Sequence, residues 1–558
     1  MQQAKSRNDA NDAREDLPPR LLGATELEAT LIELIARVIA SPPERVTLDM
    51  RLGADLGFDS LMVTELEMGL DEILPGLDTF PRSLLADDAT LAQVVDFVAA
   101  QLAKQETSVG AVDPDFPPAR SVSGSPPADK RGDDSRFQPD PATYRIDQFP
   151  EVTAFGERLK SVADAGLHNP YFKVHQQVVK DTTLIDGREY LNYASYNYLG
   201  LSGDEEVNRA VAEAIRRYGT SVSASRLVSG EKPLHRELEQ ALAQFLGCED
   251  AVITVSGYAT NVSVLGHLLS SEDVIVHDSL AHESILAGAK LSGARCRPFL
   301  HNNVEALDRL LTQIRPLARR VLIAVEGVYS MDGDVASLDQ LIDVKNRHHA
   351  LLYVDEAHSL GTLGKTGRGL GEHFAVNRAD VDLWMGTLSK SLASCGGYIA
   401  GSHSLVRYLK YTCPGFIYSI GISPANAAAA LAALEKLKRE PERVATLQAR
   451  SQLLLELFRE RDIDTGLSQG SPVIPCIIRN SQDCMRLSEA LYERGINVQP
   501  IIYPAVEENL ARLRFFVTAL HEERQMVVTA DAIRDELRRL NPGSPKKKSN
   551  WTANPHRS

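Results

Sequence analysis

The sequence lacks an apolar run of about 18 residues, the shortest length that reads as a membrane-spanning helix. Its first seven residues are polar and do not resemble a signal peptide. We therefore expect no transmembrane segment, and we predict a cytoplasmic protein.

Cysteine is scarce, with six in 558 residues, and no two stand in a Cys-x-x-Cys pair. Zinc sites and disulfide frameworks both depend on closely spaced cysteines, often with histidines beside them. We expect reduced thiols and no metal site. Cys395 stands near Lys390 in the sequence, but nothing around it indicates a chemical role.

Basic residues are outnumbered, since 60 Lys and Arg face 75 Asp and Glu and the net charge is −15. The acidic excess is concentrated between Leu21 and Lys104, where 15 acidic residues face 5 basic ones. Nucleic acids bind basic surfaces, so we expect no nucleic-acid partner. An acidic face is suited to basic patches on other proteins.

The chain is too long for a single compact core, and its composition changes along its length. Residues 105–145 contain few aliphatic side chains and much Gly, Pro and Ser, which is typical of a flexible linker. The predicted segments are a disordered start (1–20), a helical domain (21–104), the linker (105–145), a large α/β domain (146–540) and a disordered basic tail (541–558).

Apolar residues in the first domain recur at helical spacing in three stretches, within 27–38, 61–70 and 89–103. This pattern predicts a small helical bundle. Ser60 stands where a loop turns into the second helix. By its position alone, Ser60 or Asp59 is a simple helix N-cap.

The segment from Leu56 to Met62 resembles the attachment loop of acyl carrier proteins, and the resemblance extends to the acidity of the whole helical block. It implies that Ser60 carries 4′-phosphopantetheine. It also implies two partners, a phosphopantetheinyl transferase and an enzyme that loads an acyl group.

A lone lysine, Lys390, follows the apolar run 381–385 and is flanked by hydroxyl-bearing and small residues. A desolvated lysine has a lowered pKa and can form an imine with an aldehyde cofactor. Thr387 is placed to donate to a phosphate group. A Ser-Lys pair in a Gly-rich turn is also compatible with an ordinary surface turn that has no chemical role.

A second segment strengthens the first, because the apolar strand 351–354 ends in Asp355, 35 residues before Lys390, with His358 close behind. Pyridoxal phosphate (PLP) requires an acid beside its pyridine nitrogen so that the ring can act as an electron sink. His358 could then reach the ring hydroxyl. A helix cap or a metal ligand is the alternative interpretation of Asp355.

Further candidate residues lie at the ends of other predicted strands. The turn at Gly257 and Tyr258 begins a helix, so its backbone amides would face an anion such as the cofactor phosphate. His282 could stack on the cofactor ring or cap the next helix, and Ser330 could bond the ring hydroxyl. Arg514, in a late strand, could hold a substrate carboxylate.

From about Phe149 strands alternate with helices, which predicts a mostly parallel sheet, and a helical stretch after Ser423 leads to a smaller C-terminal α/β portion. The predicted fold class is thus multi-domain, a small helical bundle joined to an α/β enzyme domain.

From residue 190 to 521 these segments together resemble the α-oxoamine synthases, PLP enzymes of fold type I that include serine palmitoyltransferase and 8-amino-7-oxononanoate synthase. The resemblance implies a homodimer with the active site at the subunit interface. It implies that Lys390 forms the imine with the cofactor, that Asp355 pairs with the pyridinium nitrogen, and that His358 and Ser330 bond the ring oxygen. His282 would stack on the ring. The phosphate would be bound by Thr387, Gly257 and Tyr258, and Arg514 would hold the amino-acid carboxylate.

Some positions depart from the commoner bacterial pattern of that family. Tyr196 stands where many members have Asn, and Ser223 and Ala224 replace a Gly-Gly pair. Ile502 replaces an Arg of the pimeloyl-using enzyme, and Glu507 replaces a Pro. These changes leave the amino-acid and acyl specificity open.

The expected reaction joins serine, alanine or glycine to an acyl thioester on the fused carrier, with loss of carbon dioxide, and yields an α-aminoketone. An aminotransferase acting on a carrier-bound carbonyl shares the lysine and the acid and is the alternative. A non-catalytic scaffold that presents the carrier is the third possibility, which an intact Lys, Asp and His set disfavours.

Overall fold

The structure, a computed structural model, describes residues 24–38, 43–51, 66, 90–108, 140–503 and 505–540. The chain divides into two compact units, Met1–Arg136 and Phe137–Ser558. Each unit is described by itself. The predicted disordered ends, 1–20 and 541–558, lie outside the described residues, as do Ser60 and all of the second predicted helix except Leu66.

The N-terminal unit contains two described helices, α1 (Ala24–Val38) and α2 (Leu91–Ser108). Backbone bonds tie the start of α2 to the segment after α1, since the Leu91 amide donates to the Met50 carbonyl at 2.9 Å. The helices share an apolar core because their apolar residues fall on one face of each. The fully buried side chains in this core are Leu31, Ile35, Leu66, Leu91, Val94 and Val98.

The larger unit alternates helices and strands. Its helices are α3 (Pro150–Asp164), α4 (Glu205–Tyr218), α5 (Pro233–Leu246), α6 (Gly257–Leu268), α7 (Glu283–Ser292), α8 (Val304–Ile314), α9 (Leu338–Arg347), α10 (Leu370–His373), α11 (His403–Thr412), α12 (Pro414–Ile417), α13 (Pro424–Arg439), α14 (Glu442–Arg459), α15 (Ser481–Glu493) and α16 (Glu523–Leu540). Its strands are β1 (Thr182–Ile185), β2 (Arg188–Asn192), β3 (Asp250–Thr254), β4 (Val274–Asp278), β5 (Arg295–Phe299), β6 (Val321–Glu326), β7 (Leu351–Asp355), β8 (Leu383–Thr387), β9 (Gly397–Gly401), β10 (Val473–Ile477), β11 (Ile496–Asn497), β12 (Gln499–Ile501) and β13 (Arg512–Phe516).

Seven strands form the central sheet in the order β3-β9-β8-β7-β6-β4-β5. The ladders from β8 to β5 are parallel, and β9 pairs antiparallel with both of its neighbours. Every residue of β4, β6 and β8 is buried, as expected for strands covered on both faces. The carboxyl ends of the parallel strands therefore meet at one edge of the sheet, where α/β proteins bind ligands.

A second, antiparallel sheet of the order β10-β13-β12 forms the C-terminal part, against which α14 and α15 lie. A third sheet joins β1 and β2 to β11, so the segment before the central sheet contacts the C-terminal part. The side-chain amide of Asn497 donates to Asn192 Oδ1 at 2.9 Å within this junction.

The predicted fold class is confirmed: a helical N-terminal unit precedes an α/β unit with a large, mostly parallel sheet. Among the described residues, no helix has the length and apolar character needed to cross a membrane.

Candidate active site

A polar cleft opens at the carboxyl edge of the central sheet. Seven of the predicted site residues line it: Gly257, Tyr258, His282, Asp355, His358, Thr387 and Lys390. The other lining residues are Ser256, Asn261, Ser284, Glu326, Ala357, Met385 and Ser389. Residues from five separate segments of the chain thus converge on one cleft.

Lys390 follows β8, which carries the chain to the cleft before it turns. Burial lowers the pKa of the Lys390 amine to about 8, although the nearby Asp355 and Glu326 carboxyls oppose this shift. Its Nζ lies 5.5 Å from the ring centroid of Tyr196. A partly desolvated amine of this kind is suited to imine formation.

Asp355 ends β7, and its side chain is buried. Oδ2 accepts a hydrogen bond from Asn261 Nδ2 at 2.8 Å, and Oδ1 accepts one from the Ala357 backbone at 2.9 Å. Among the described residues, no cluster of three His, Cys, Asp or Glu side chains could hold a metal ion. These surroundings make Asp355 suited to accept a hydrogen bond from one cationic N–H group.

Asn261, which the sequence analysis passed over, links several residues of the cleft. Its Nδ2 also donates to Ser284 Oγ at 2.7 Å, and its Oδ1 accepts from Tyr353 Oη at 2.5 Å. Ser284 Oγ in turn lies 2.7 Å from His282 Nδ1. Asn261 lies one helical turn after Gly257, so the 3.6-residue period was the signal that could have identified it.

His282 is the helix cap of one predicted interpretation, and its stacking on a cofactor ring stays a prediction. It is the N-cap of α7, where its Nδ1 accepts from the Ser284 amide at 3.3 Å, and its ring also lines the cleft. Burial lowers the pKa of His282, although the Asp355 charge opposes the shift. The neutral imidazole is therefore fixed at one ring nitrogen and presents the rest of the ring to the cleft.

His358 is buried beside Tyr198, whose hydroxyl lies 2.7 Å from His358 Nδ1. Burial raises the pKa of Tyr198 well above its usual value and lowers the pKa of His358 well below it. The tyrosine is thus the donor, and the neutral histidine carries its proton on Nε2. This ring nitrogen is left to donate to another group.

Gly257 and Thr387 form a narrow contact at one end of the cleft. Gly257 begins α6, and a Cβ on this glycine would lie 3.0 Å from Thr387 Oγ1. The Ser389 amide donates to that same oxygen at 3.2 Å. The amides of a helix N-terminus favour an anion, so this end of the cleft is the candidate phosphate site.

Ser330 and Arg514 do not line the cleft, but they contact each other. Arg514 Nη1 donates to the backbone carbonyl of Ser330 at 3.0 Å. The positive charge of Arg514 also contributes to the lowered pKa of Lys390, so the guanidinium is close to the cleft. Its Nε is buried without a hydrogen-bond partner among the described residues.

Two departures from the family pattern have visible structural effects. The ring of Tyr196 lies edge-on to His358, with 5.9 Å between centroids, so this substitution falls within the site. Ser223, which replaces a glycine, adopts a φ of +57°, in the left-handed region that glycine favours.

Glu326, a second residue that the sequence analysis gave no role, ends β6 beside Asp355. Burial and the neighbouring Asp355 charge raise its pKa well above the usual range, and its Oε1 has no hydrogen-bond partner among the described residues. Its position at the end of a strand could have identified Glu326 from the sequence, since adjacent parallel strands end at the same edge of the sheet.

The cleft residues fit pyridoxal phosphate. A buried, doubly hydrogen-bonded carboxylate at Asp355, a desolvated amine at Lys390 and the anion site at Gly257 and Thr387 provide the three groups that this cofactor needs. His358 has a ring N–H that is free to donate.

Comparison with known proteins agrees with these features. Residues 188–533 match the family Aminotransferase class I and II, and residues 29–98 match the phosphopantetheine attachment site. The chain is 38% identical to 8-amino-7-oxononanoate synthase of Symbiobacterium thermophilum, over 66% of this chain and 94% of that protein.

Solved structures give the same result. A serine palmitoyltransferase from Sphingomonas wittichii is 30% identical, with a TM-score of 0.67, and the match covers 70% of this chain and 98% of that one. A serine palmitoyltransferase variant from S. paucimobilis, solved with bound PLP and myriocin, is 28% identical, also with a TM-score of 0.67, over 70% and 97% of the two chains.

The predicted family and both predicted cofactors, pyridoxal phosphate and 4′-phosphopantetheine, are confirmed by these matches. The chain belongs to the α-oxoamine synthases, PLP-dependent acyltransferases that condense an amino acid with an acyl thioester, and it carries its own phosphopantetheine-binding domain.

Proposed function

We propose that this chain condenses serine, alanine or glycine with an acyl thioester held on its own N-terminal domain. The products are an α-aminoketone, carbon dioxide and the free phosphopantetheine thiol. The observation that carries this proposal is the presence of a phosphopantetheine attachment domain and an α-oxoamine synthase domain on one chain.

In this proposal the cleft residues hold the cofactor through distinct atoms. Asp355 would pair with the pyridine nitrogen, His358 Nε2 would bond the ring oxygen, and His282 would stack on the ring. The same oxygen is the proposed partner of Ser330, although Ser330 does not line the cleft. The phosphate lies against Thr387 and against the backbone amides of Gly257 and Tyr258. Bound PLP supplies the electron sink that stabilises negative charge at the amino-acid Cα.

Lys390 has two tasks in the proposal. Its amine carries the cofactor at rest and removes the Cα proton of the bound amino acid. The lowered pKa supports the second task, because a pKa of about 8 leaves about a tenth of the amine unprotonated at pH 7, far more than for an ordinary lysine.

Arg514 holds the carboxylate of the amino acid in this proposal. One nitrogen of its guanidinium is bound to the Ser330 carbonyl, which fixes the plane of the group. The partnerless, buried Nε supports the assignment, since a buried donor that lacks a protein partner favours a bound acceptor.

The acyl donor in this proposal is tethered through phosphopantetheine on Ser60. A flexible tether gives the donor an effective concentration in the millimolar range. The chain then requires a phosphopantetheinyl transferase to modify Ser60 and a separate acyl-loading enzyme.

We also propose a homodimer that works in the cytoplasm. Exposed apolar side chains support the dimer: Leu227, Val228, Tyr258, Tyr411, Tyr418 and Ile420. All six cysteines are free, which supports a reducing compartment.

A labelled amino acid tests the reaction type. Carboxyl-labelled serine, alanine or glycine is added to the phosphopantetheinylated, acyl-loaded protein, and labelled carbon dioxide is trapped. Release with one amino acid supports the condensation. Transfer of the amino group without carbon dioxide would instead support the aminotransferase, and the absence of any PLP imine absorbance would support the scaffold.

A further inference from the structure

His301 lies between two buried carboxylates outside the cleft. Its Nδ1 donates to Asp278 Oδ1 at 2.8 Å, and its Nε2 donates to Asp334 Oδ2, also at 2.8 Å. The Asp278 side chain is fully buried, and the Asp334 side chain is 3% exposed. Both ring nitrogens donate, so this histidine is an imidazolium.

The charge state agrees with the geometry. Burial alone would lower the pKa of His301, but hydrogen bonds to Asp278 and Asp334 and their negative charges raise it to about 10. Among the described residues, Tyr329 is a further titratable group that faces the His301 ring. The two rings meet edge to face, with 4.5 Å between their centroids. At neutral pH the cluster therefore places a positively charged His301 between two carboxyl groups.

The cluster connects the central sheet to a loop, residues 329–334. Asp278 ends β4, and His301 follows β5, so both belong to the edge of the central sheet. Asp334 belongs to the loop, which is closed by a hydrogen bond from the Tyr329 amide to the Asp334 carbonyl at 3.0 Å. His301 thus anchors the loop to the sheet.

The opposite side of the same loop holds two arginines of β13. Arg512 Nη1 donates to Asp332 Oδ1 at 2.7 Å, and Arg514 Nη1 donates to the Ser330 carbonyl at 3.0 Å. The loop also lies close against β10, because a Cβ on Gly333 would lie 1.9 Å from the Val473 carbonyl oxygen. Displacement of the loop would therefore displace the partners of both arginines.

We propose that His301 is a positioning residue for the amino-acid substrate. It fixes the loop 329–334 to the edge of the sheet, and the loop in turn orients the Arg514 guanidinium toward the substrate carboxylate. This inference rests on the proposed role of Arg514. It assigns to the cluster of Asp278, His301 and Asp334 an effect on amino-acid binding and not on the later chemistry.

The test compares His301→Gln with His348→Gln in the full-length, PLP-loaded protein. His348 is a matched control, since its Nε2 also lies 2.8 Å from an aspartate, Asp308, which belongs to α8 and not to the loop 329–334. Amino-acid affinity is measured by the change in cofactor absorbance. We expect His301→Gln to weaken it about tenfold, with kcat changed less than about threefold, and His348→Gln to have no effect.

Hydrogen–deuterium exchange provides a readout that is independent of activity. Peptides covering 328–336 should exchange faster in His301→Gln than in the wild type. Their exchange should be unchanged in His348→Gln. Unchanged exchange, or unchanged amino-acid affinity with faster exchange, would overturn the proposal. If His301→Gln does not fold, Asp334→Asn is used with the same expectations, because it keeps the side-chain shape and removes one charge.

Two further variants separate this proposal from the one on which it rests. If Arg514→Lys leaves amino-acid affinity unchanged, the proposed role of Arg514 fails. The proposal that His301 positions Arg514 then fails as well. The exchange data still test separately whether His301 holds the loop 329–334. In a double-mutant cycle, Asp334→Asn should partly rescue His301→Gln, because it removes a buried carboxylate that has lost its cation. Additive effects would contradict a direct link between these two residues.

Discussion

Glu326 and Asp355 are register partners at the ends of the adjacent strands β6 and β7, yet their carboxyl groups have different surroundings. Asp355 accepts hydrogen bonds at both oxygens. Glu326 has an oxygen without a partner among the described residues, and burial together with the Asp355 charge raises its pKa. Both oxygens of Asp355 are thus bound by donors, whereas the raised pKa of Glu326 favours its protonated form.

Replacing each acid by its amide should have a large effect on kcat at Asp355 and a small one at Glu326. Asp355→Asn removes the carboxyl group that is proposed to pair with the pyridine nitrogen, and we expect kcat to fall at least about a hundredfold. The raised pKa of Glu326 favours its neutral form, which Gln resembles, so Glu326→Gln should change kcat less than about threefold. Steady-state kinetics and the cofactor absorbance spectrum measure both, and a large loss in Glu326→Gln would show that Glu326 acts as an anion.

Asn261 should control cofactor affinity by holding Asp355. Asn261→Ala leaves buried polar partners unsatisfied, and we expect PLP to bind about 10- to 100-fold more weakly. Tyr353→Phe is the control, since it removes only the hydroxyl that bonds the far side of the Asn261 amide. Titration of cofactor-free protein with PLP measures both. Equal losses would argue against Asn261 acting through Asp355.

Gly257 should tolerate no side chain at the phosphate end of the cleft. A Cβ there would lie 3.0 Å from Thr387 Oγ1, so Gly257→Ala should weaken PLP binding about tenfold. Gly156, in α3, has no atom within 4 Å of the corresponding Cβ position and provides the matched control. Unchanged PLP affinity in Gly257→Ala would place the phosphate elsewhere.

His301 should make the stability of the larger unit depend on pH. Its pKa rises from the ordinary 6.5 to about 10 in the folded protein, so its stabilising effect is complete below pH 6.5 and is lost as the pH rises through about 10. The difference in thermal unfolding midpoint between wild type and His301→Gln should thus be largest near pH 6 and shrink toward pH 10. A difference that is independent of pH would contradict the imidazolium.

The fold class and the family could be predicted from the sequence because the signals were local. Asp355 ends an apolar run and Lys390 follows another, and each strand end delivers its side chain to the same edge of the sheet. The convergence of Gly257 and His282 on this cleft follows from the same rule. The roles of these residues, like the proposed domain boundaries, stay predictions.

The rest of the site depended on contacts between distant segments. The helical period places Asn261 on the same face as Gly257, but its hydrogen bond to Asp355, 94 positions away, depends on how distant segments pack. Arg514 was predicted as a clamp, but its contact with the Ser330 carbonyl involves a backbone atom that residue identity does not specify. Likewise, His301 stands in a loop, and its two carboxylates come from segments before and after it.

The central claim is that the acyl donor is carried on Ser60, which lies outside the described residues. Intact-protein mass spectrometry of the phosphopantetheinylated, acyl-loaded chain measures this directly, before and after serine, alanine or glycine is added. Loss of the acyl mass with one amino acid, together with no phosphopantetheine on Ser60→Ala, is the predicted result. Retention of the acyl group with every amino acid, or equal turnover by Ser60→Ala supplied with free acyl-CoA, would contradict the account.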